Sequence, residues 1–488
     1  MSLLHNYDNS NIISIVRYAN QLVGKTIDDI LKNSQCKDDI SIKNKGIIGT
    51  IIEEHWFGIK QNSSPLPDFD KVGVELKVIP LIHQKTKIAV KERTKVCSID
   101  YKKLILETWD NSHAKEKLNR ILFVYYLYDK DNLKNSIIKK IDLWELNQDH
   151  NEFIIKHDWL SVQNKVKDGY AHELSESLCK VLAPARSGSG GKDKNGAFND
   201  LVIQPIQTYS KDALKRSFAL KQSFTNQRWN ELNTKIKYES IIDSLNINKF
   251  DKFEDIILET LNKHKGKTIQ ELSDIFSLNI SDRSKNQIAT IIKKSIGFKS
   301  VKSNIKEFEQ LGIIVKTIKV RKVNNYPFES ISFATMKLQE LIVEEWEEST
   351  FKEYINKILF VPVYSDKKET ALDEKYLGEA FFWSPSIEEE NIIKREWNQY
   401  KSEVINGRCQ VKKVKVNSIK GFKEVSGLSK ESQTTVIHMR PHGIDSNDRD
   451  EDGLGNSIVK QCFWLNKSFV QKLLNEKKLP DSNFTCPV

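Results

Sequence analysis

Two rhythms of apolar and polar positions run along the 488-residue chain. Ile12 to Asn33 carries apolar residues at helical spacing and closes in the polar turn QCKDD, and Gly46 to Phe57 reads as a second helix. The period then changes. Val72 to Ile79 alternates strictly, which predicts a strand with Val72, Val74, Leu76 and Val78 on one face and Gly73, Glu75 and Lys77 on the other. Arg120 to Tyr128 is an almost unbroken apolar run, suited to a strand covered on both faces, and a charged, helix-like stretch follows around Ile154 to Lys180. Helices and strands mixed in this order predict an α/β class.

The plan is written twice. GKTIDDI from Gly24 recurs as GKTIQEL from Gly266, TIIEE from Thr50 as TIIKK from Thr290, and GVELKVIPL from Gly73 as GIIVKTIKV from Gly312. ILFV from Ile121 returns at Ile358, Trp144 at Trp383, IIKHDW from Ile154 as IIKREW from Ile392, and the F-x-L-x-x-S-F pattern of Phe218 to Phe224 at Phe463 to Phe469. Seven matches in one order, all displaced by 237 to 245 residues, predict two tandem domains. Their expected extents are residues 1–240 and 250–488, with the junction between Asn233 and Phe253.

Composition narrows the class. Phe, Tyr and Trp are plentiful (22, 14 and 9), which excludes global disorder, and the chain is long enough to bury sizeable cores without staples. Lys and Arg exceed Asp and Glu by 76 to 66, a net +10 that suits a polyanionic partner without proving one. Six cysteines stand apart with no C-x-x-C, against a disulfide framework and against structural zinc. The N-terminus lacks the form of an export signal, and the most apolar run, Ile121 to Tyr128, is far too short to span a bilayer. A cytoplasmic protein with no membrane role is expected.

The candidate chemistry lies in LPDFDKVGVELKVIPL. Glu75 and Lys77 share a strand face, and Asp68 follows Pro67 at the preceding turn, where its carboxylate can lie beside that of Glu75. Two convergent carboxylates suit Mg²⁺, which keeps several waters and takes phosphate oxygens as further ligands. Lys77 can hold an attacking water or stabilise charge on the transition state. A bare E-x-K also fits an amphipathic strand with solvated charges. Glu54, on the helix before the strand and fourteen residues ahead of Asp68, supplies a third candidate ligand.

Together EEHWFG, PDFDKVGVELKVIP and KLNRILFV resemble the MutH/Sau-type family of PD-(D/E)xK nucleases, which comprises a mismatch-repair nicking endonuclease and type II restriction endonucleases that recognise GATC. The resemblance extends over both copies. It implies two tandem restriction-endonuclease-like domains and a catalytic set of Glu54, Asp68, Glu75, Lys77 and Lys117, with Mg²⁺ as cofactor held by Asp68, Glu75 and Glu54. Asp70 is a rival to Asp68, but only Asp68 keeps the D-F-x5-E-x-K spacing.

The second copy is degenerate. Glu54 aligns with Lys294, Asp68 with Glu307, Glu75 with Ile314 and Lys77 with Lys316, so two acidic positions are lost and no cleavage is expected there. It retains VIHMRPHG and CFWLNKSF, which resemble the family's DNA-contacting segments; Arg440 suits bidentate guanine readout and Lys467 a phosphate. In the first copy Ala183 stands for that arginine, with Arg186 close by and Lys221 as a further DNA-binding candidate. The Gly/Ser-rich stretch Ser187 to Gly196 is either a loop that orders on DNA or a plain connection. Lys85 to Lys95 lines a DNA cleft or forms a solvated hairpin. Asp448, Asp450 and Asp452 resemble half an EF-hand loop but meet Val459 where a glutamate is needed.

The resemblance implies a restriction endonuclease for double-stranded DNA at GATC, with a non-cleaving second domain that binds another site. It also implies a cognate DNA methyltransferase in the host, and one active centre cutting a duplex requires a homodimer or two successive cuts. A nicking enzyme of mismatch repair and a non-enzymatic DNA-binding protein are the alternatives.

Overall fold

In the computed structural model the chain divides into two compact units, Met1–Tyr238 with Glu309–Leu311, and Glu239–Phe308 with Gly312–Val488. The structure describes residues 6–34, 46–60, 65–84, 87–187, 199–205, 212–247, 253–278, 287–298, 303–346, 349–415 and 422–476.

The first helical stretch is two helices rather than one, Ile12–Asn20 and Ile27–Asn33. Gly24 breaks it at φ 86°, a conformation that residues bearing a Cβ rarely adopt, and its N–H donates to the Ile138 carbonyl at 2.9 Å. Thr26 then starts the next helix with a capping box. Its hydroxyl accepts the Asp29 N–H at 3.1 Å while the Asp29 carboxylate accepts the Thr26 N–H at 2.8 Å. The second unit repeats the device. Gly266 lies at φ 83° with its N–H on the Leu377 carbonyl at 2.8 Å, and Thr268 and Glu271 exchange bonds of 3.0 and 2.6 Å. The repeated G-K-T is thus a helix start encoded twice.

The main sheet of the first unit runs in the order Lys87–Val90, Glu75–Gln84, Arg120–Leu127, Ile137–Glu145. The central pair is parallel and the outer pairs are antiparallel. Ile121 to Tyr126 are all buried, as the unbroken apolar run requires. The Lys85–Lys95 segment contributes the edge strand Lys87–Val90, antiparallel to the strand before it. The expected strand at Val72 starts later, at Glu75, because Asp70–Val72 forms a 3₁₀ turn and Gly73 sits at φ 63°. Phe69 and Val74 exchange backbone bonds of 2.9 and 3.2 Å across this turn, which doubles the chain back and brings Asp68 to the head of the strand.

A second sheet, Thr94–Ser98, Arg216–Leu220 and Leu182–Arg186, is tied to the helix Asn151–Lys167 by one buried carboxylate. Asp158 accepts the N–H groups of Lys180, Val181 and Leu182 at 2.8, 2.6 and 2.8 Å. In the second unit Glu396, on helix Ile387–Ile405, accepts those of Thr435, Val436 and Ile437 at 2.5, 3.1 and 2.9 Å ahead of strand Ile437–Pro441. There the parallel pair is Ile313–Arg321 with Lys357–Ser365, and the second sheet is Ile331–Ser332, Gln461–Leu465 and Ile437–Pro441. Trp109 meets Trp159 edge to face at 5.8 Å, and Trp346 meets Trp397 at 5.6 Å. Both units are mixed α/β and built on one plan. Among the described residues no helix is long and apolar enough to cross a membrane.

Candidate active site

Glu75, Lys77 and Lys117 form one cluster, with Glu75 and Lys117 buried and Lys77 partly so. Glu75 is the first residue of its strand and only 4 % exposed, so it is not a solvated charge on an open face. Lys77, two residues on, donates to Glu75 Oε1 at 2.6 Å. Lys117, from the helix His113–Leu118, donates to Glu75 Oε2 at 2.8 Å and to the Leu66 carbonyl at 2.6 Å. Ser112 sets that helix in place by accepting the Lys115 N–H at 3.1 Å. Both oxygens of this buried carboxylate are thus met by lysine ammonium groups.

Asp68 reaches the same strand from the turn. Its Oδ2 accepts the Leu76 N–H at 2.8 Å. Burial, then the charge of Glu75, push its carboxyl above the usual range, while the Leu76 N–H, Lys77 and Lys117 oppose that rise. A cleft of about 360 Å³ opens beside it, lined by Tyr7, Asn9, Phe57, Gly58, Phe69 and Asp70. Asp70 itself caps the adjoining turn through a 2.8 Å bond from the Lys71 N–H.

The helical turn ahead of the strand carries two adjacent carboxylates, Glu53 and Glu54. Ile52–Trp56 is a turn of π-helix, with the Phe57 N–H on the Ile52 carbonyl at 3.2 Å. The wider turn rotates the side chains that follow it. Glu53 lies in the field of the site. Burial raises its carboxyl first, followed by Asp68, with Glu75 and Lys77 also acting on it. Glu54 is half-buried on the next position.

The donor set fits a hard divalent cation with few protein ligands. Among the described residues no group of three or more His, Cys, Asp or Glu side chains is gathered closely enough to hold a metal ion by itself. Mg²⁺ requires only one or two carboxylates when it keeps its waters and takes phosphate oxygens. Asp68 and Glu75 meet that requirement.

The second unit carries the same backbone without the chemistry. Glu75 pairs with Ile121 in the parallel register, and Ile314 pairs with Ile358; Lys77 pairs with Phe123, and Lys316 with Phe360. Lys316 therefore occupies the place of Lys77. It donates to the Ser332 carbonyl at 2.6 Å and lies 5.0 Å from the centre of the Phe333 ring, and burial lowers its pKa. Glu307 is buried and serves as a helix cap, accepting the Ser240 hydroxyl at 2.5 Å and the Ile241 N–H at 2.8 Å. Helices capped by Ser112 and Ser349 correspond, so Tyr354 stands where Lys117 does, a loss that the sequence alignment did not reach.

The expected DNA-contacting residues are placed unequally. Arg186 is held by Asp200 through bonds of 3.2 and 3.0 Å. Lys221 is buried, with its ammonium on the Cys179 carbonyl at 2.6 Å. Arg440 is exposed, its guanidinium 4.0 Å from the centre of the Trp464 ring. Lys467 opens the last helix with its ammonium 5.5 Å from the Tyr326 ring. The counterpart of Arg440 is corrected. Leu182 pairs with Leu220 as Ile437 pairs with Leu465, so three residues along each strand Ala185, not Ala183, matches Arg440. Of the Gly/Ser-rich stretch only Ser187 is described; the rest lies outside the described residues.

An Asp at a tight turn, a Glu and a Lys at i and i+2 on a parallel strand, and a supporting Lys on the next helix define a PD-(D/E)xK nuclease centre in a mixed α/β domain. The comparisons agree. The sequence profile of the DNA mismatch repair enzyme MutH matches residues 57–158 and again 296–396, one segment in each unit. The type II restriction enzyme Sau3AI of Staphylococcus aureus is 28% identical over 94% of this chain and 97% of its own length. The DNA mismatch repair protein MutH of Actinobacillus pleuropneumoniae is 23% identical over 47% of this chain and 96% of its own length, and that of Vibrio vulnificus 27% over 44% and 90%. These similarities support a MutH-like, site-specific nuclease, with a MutH-like segment in each of the two units.

Proposed function

We propose that this protein is a type II restriction endonuclease that cuts both strands of DNA at GATC with Mg²⁺, its first unit cleaving and its second binding a further copy of the site without cutting. The observation that carries the reading is the contrast between two copies of one strand. Asp68, Glu75, Lys77 and Lys117 converge at the first, whereas Ile314, the capping Glu307 and Tyr354 replace three of the four at the second. A fused, non-cleaving copy favours restriction over a repair nickase, since the MutH relatives align with only about half of this chain (47% for one). A cytoplasmic location, a homodimer on DNA and a host methyltransferase belong to the same reading.

In this mechanism Asp68 and Glu75 would hold the cation, with Glu54 or Glu53 alongside. Bound Mg²⁺ supplies Lewis acidity and offsets the charge that builds on the scissile phosphate. Lys77 orients the attacking water and stabilises the developing charge as the water oxygen bonds to phosphorus and the opposite P–O bond breaks. Lys117, anchored on the Leu66 carbonyl, keeps Glu75 oriented and supports the phosphate.

The test is incubation of unmethylated supercoiled plasmid bearing several GATC sites with the protein and Mg²⁺, beside the Asp68→Ala variant, followed by sequencing of the ends. Double-strand ends at GATC that are absent with the variant are expected. Nicks alone would move the assignment to a repair-type enzyme, and binding without cutting to a DNA-binding module. A two-site DNA is expected to be cut faster than a one-site DNA; equal rates at matched site concentration would remove the effector role.

A further inference from the structure

The second sheets of the two units share a register but carry different side chains. Counting from the pairs Leu182–Leu220 and Ile437–Leu465, Ala183, Ala185 and Ala219 occupy the places of His438, Arg440 and Trp464. In the second unit these form one stack on a buried indole. The His438 ring lies 6.5 Å from Trp464 and within 17° of parallel, and the Arg440 guanidinium is 4.0 Å from the indole centre. The His442 ring approaches edge-on at 5.0 Å.

Asn466 fixes the inner end of the stack. Its amide nitrogen donates to the Thr434 carbonyl at 3.0 Å, which leaves its oxygen for His438 Nδ1 at 2.6 Å. Trp464 is buried and its Nε1 finds no hydrogen-bond partner among the described residues, so the contacts seen here are made by the indole face. Arg440 at the outer end is exposed. A guanidinium laid on an aromatic face keeps its N–H donors in its own plane, pre-organised for two acceptors side by side. Guanine offers such a pair, O6 and N7, in the major groove.

We infer that Trp464 is a positioning residue for sequence reading by the second unit: it holds Arg440 ready for a guanine edge, and the first unit, with alanine at all three positions, makes no such contact from the matching strands. This rests on the reading of the second unit as DNA-binding. The second unit then reads its copy of the site through a stacked arginine that the first unit lacks at the matching strand positions.

The test uses the full chain in EDTA, so that nothing is cleaved, and fluorescence anisotropy on a short duplex with one GATC and on the same duplex scrambled. Arg440→Ala is expected to reduce the ratio of the two affinities by roughly 5- to 150-fold. Trp464→Leu should reduce it by about 2- to 30-fold, and Trp464→Phe, which keeps an aromatic face, should largely retain it. Affinity for the scrambled duplex should not change in any variant. Because Trp464 is buried, a second measurement leaves the fold intact: replacing the guanines of GATC by 7-deazaguanine should weaken wild-type binding and leave Arg440→Ala unaffected. An undiminished ratio in folded Trp464→Leu, or no effect of 7-deazaguanine on the wild type, would overturn the inference. If the wild type binds neither duplex, the DNA-binding reading beneath it fails instead.

Discussion

Glu75 is held by two lysines at 2.6 and 2.8 Å, and that arrangement sets what each substitution should do. Glu75→Gln removes the charge but keeps the shape, and cleavage is expected to fall at least about 100-fold with binding retained, measured by single-turnover digestion beside a binding assay. Glu53 and Glu54 separate on the same assay. Glu53→Gln should slow cleavage by about 10- to 100-fold, with a weaker dependence on Mg²⁺ concentration; an unchanged Glu53→Gln with an inactive Glu54→Gln would return the role to Glu54. The D-F-x5-E-x-K spacing made Asp68, Glu75 and Lys77 legible without coordinates. The π-turn at Ile52–Trp56 was not, because it adds a residue to one helical turn and leaves no mark in the composition of IIEEHW. His438 gives a pH prediction. Burial lowers its pKa, so the fold favours the neutral ring. As pH falls through about 6.5 the unfolded chain takes up a proton that the fold resists, and stability of the second unit should decline. Thermal unfolding against pH checks this, and His438→Phe should flatten the decline.

At the scale of elements, the repeated sequence motifs proved to be repeated structural devices. G-K-T marks a left-handed glycine followed by a capping box in both units, and the Ser112 and Ser349 caps place equivalent helices. The single helix expected from Ile12 to Asn33 fails at Gly24, where the backbone's need for positive φ overrides the apolar period on either side. The strand expected from Val72 starts at Glu75 because the alternating valines run through a turn that alternation alone cannot distinguish from a strand. Asp158 was read as part of a charged helix and is in fact the buried anchor of the second sheet. Its three backbone donors would be left without partners in Asp158→Ala, which should cost about 2–5 kcal/mol and lower the urea midpoint of the first unit. A midpoint within error of the wild type would show that the sheet does not depend on this carboxylate.

For the whole molecule, one fold appears twice with its chemistry divided. The degenerate copy cannot be revived by a single acidic residue. Ile314→Glu would restore one ligand, but Glu307 stays bound to Ser240 and Ile241, and Tyr354 still replaces the supporting lysine. No cleavage by a chain carrying both Glu75→Ala and Ile314→Glu is therefore expected. Two copies were visible from the order of seven short matches; the uses to which Glu307 and Trp464 are put were not, since both depend on partners distant in the chain. The central claim is that one centre, in the first unit, performs all cleavage. Its most direct test is the full-length Glu75→Ala protein, shown to bind DNA as the wild type does, incubated with Mg²⁺ or Mn²⁺ and a plasmid bearing several GATC sites, with every new end mapped by sequencing. The account predicts no ends above those in a protein-free control; metal-dependent ends at defined sites would place a second working centre in the chain and contradict it.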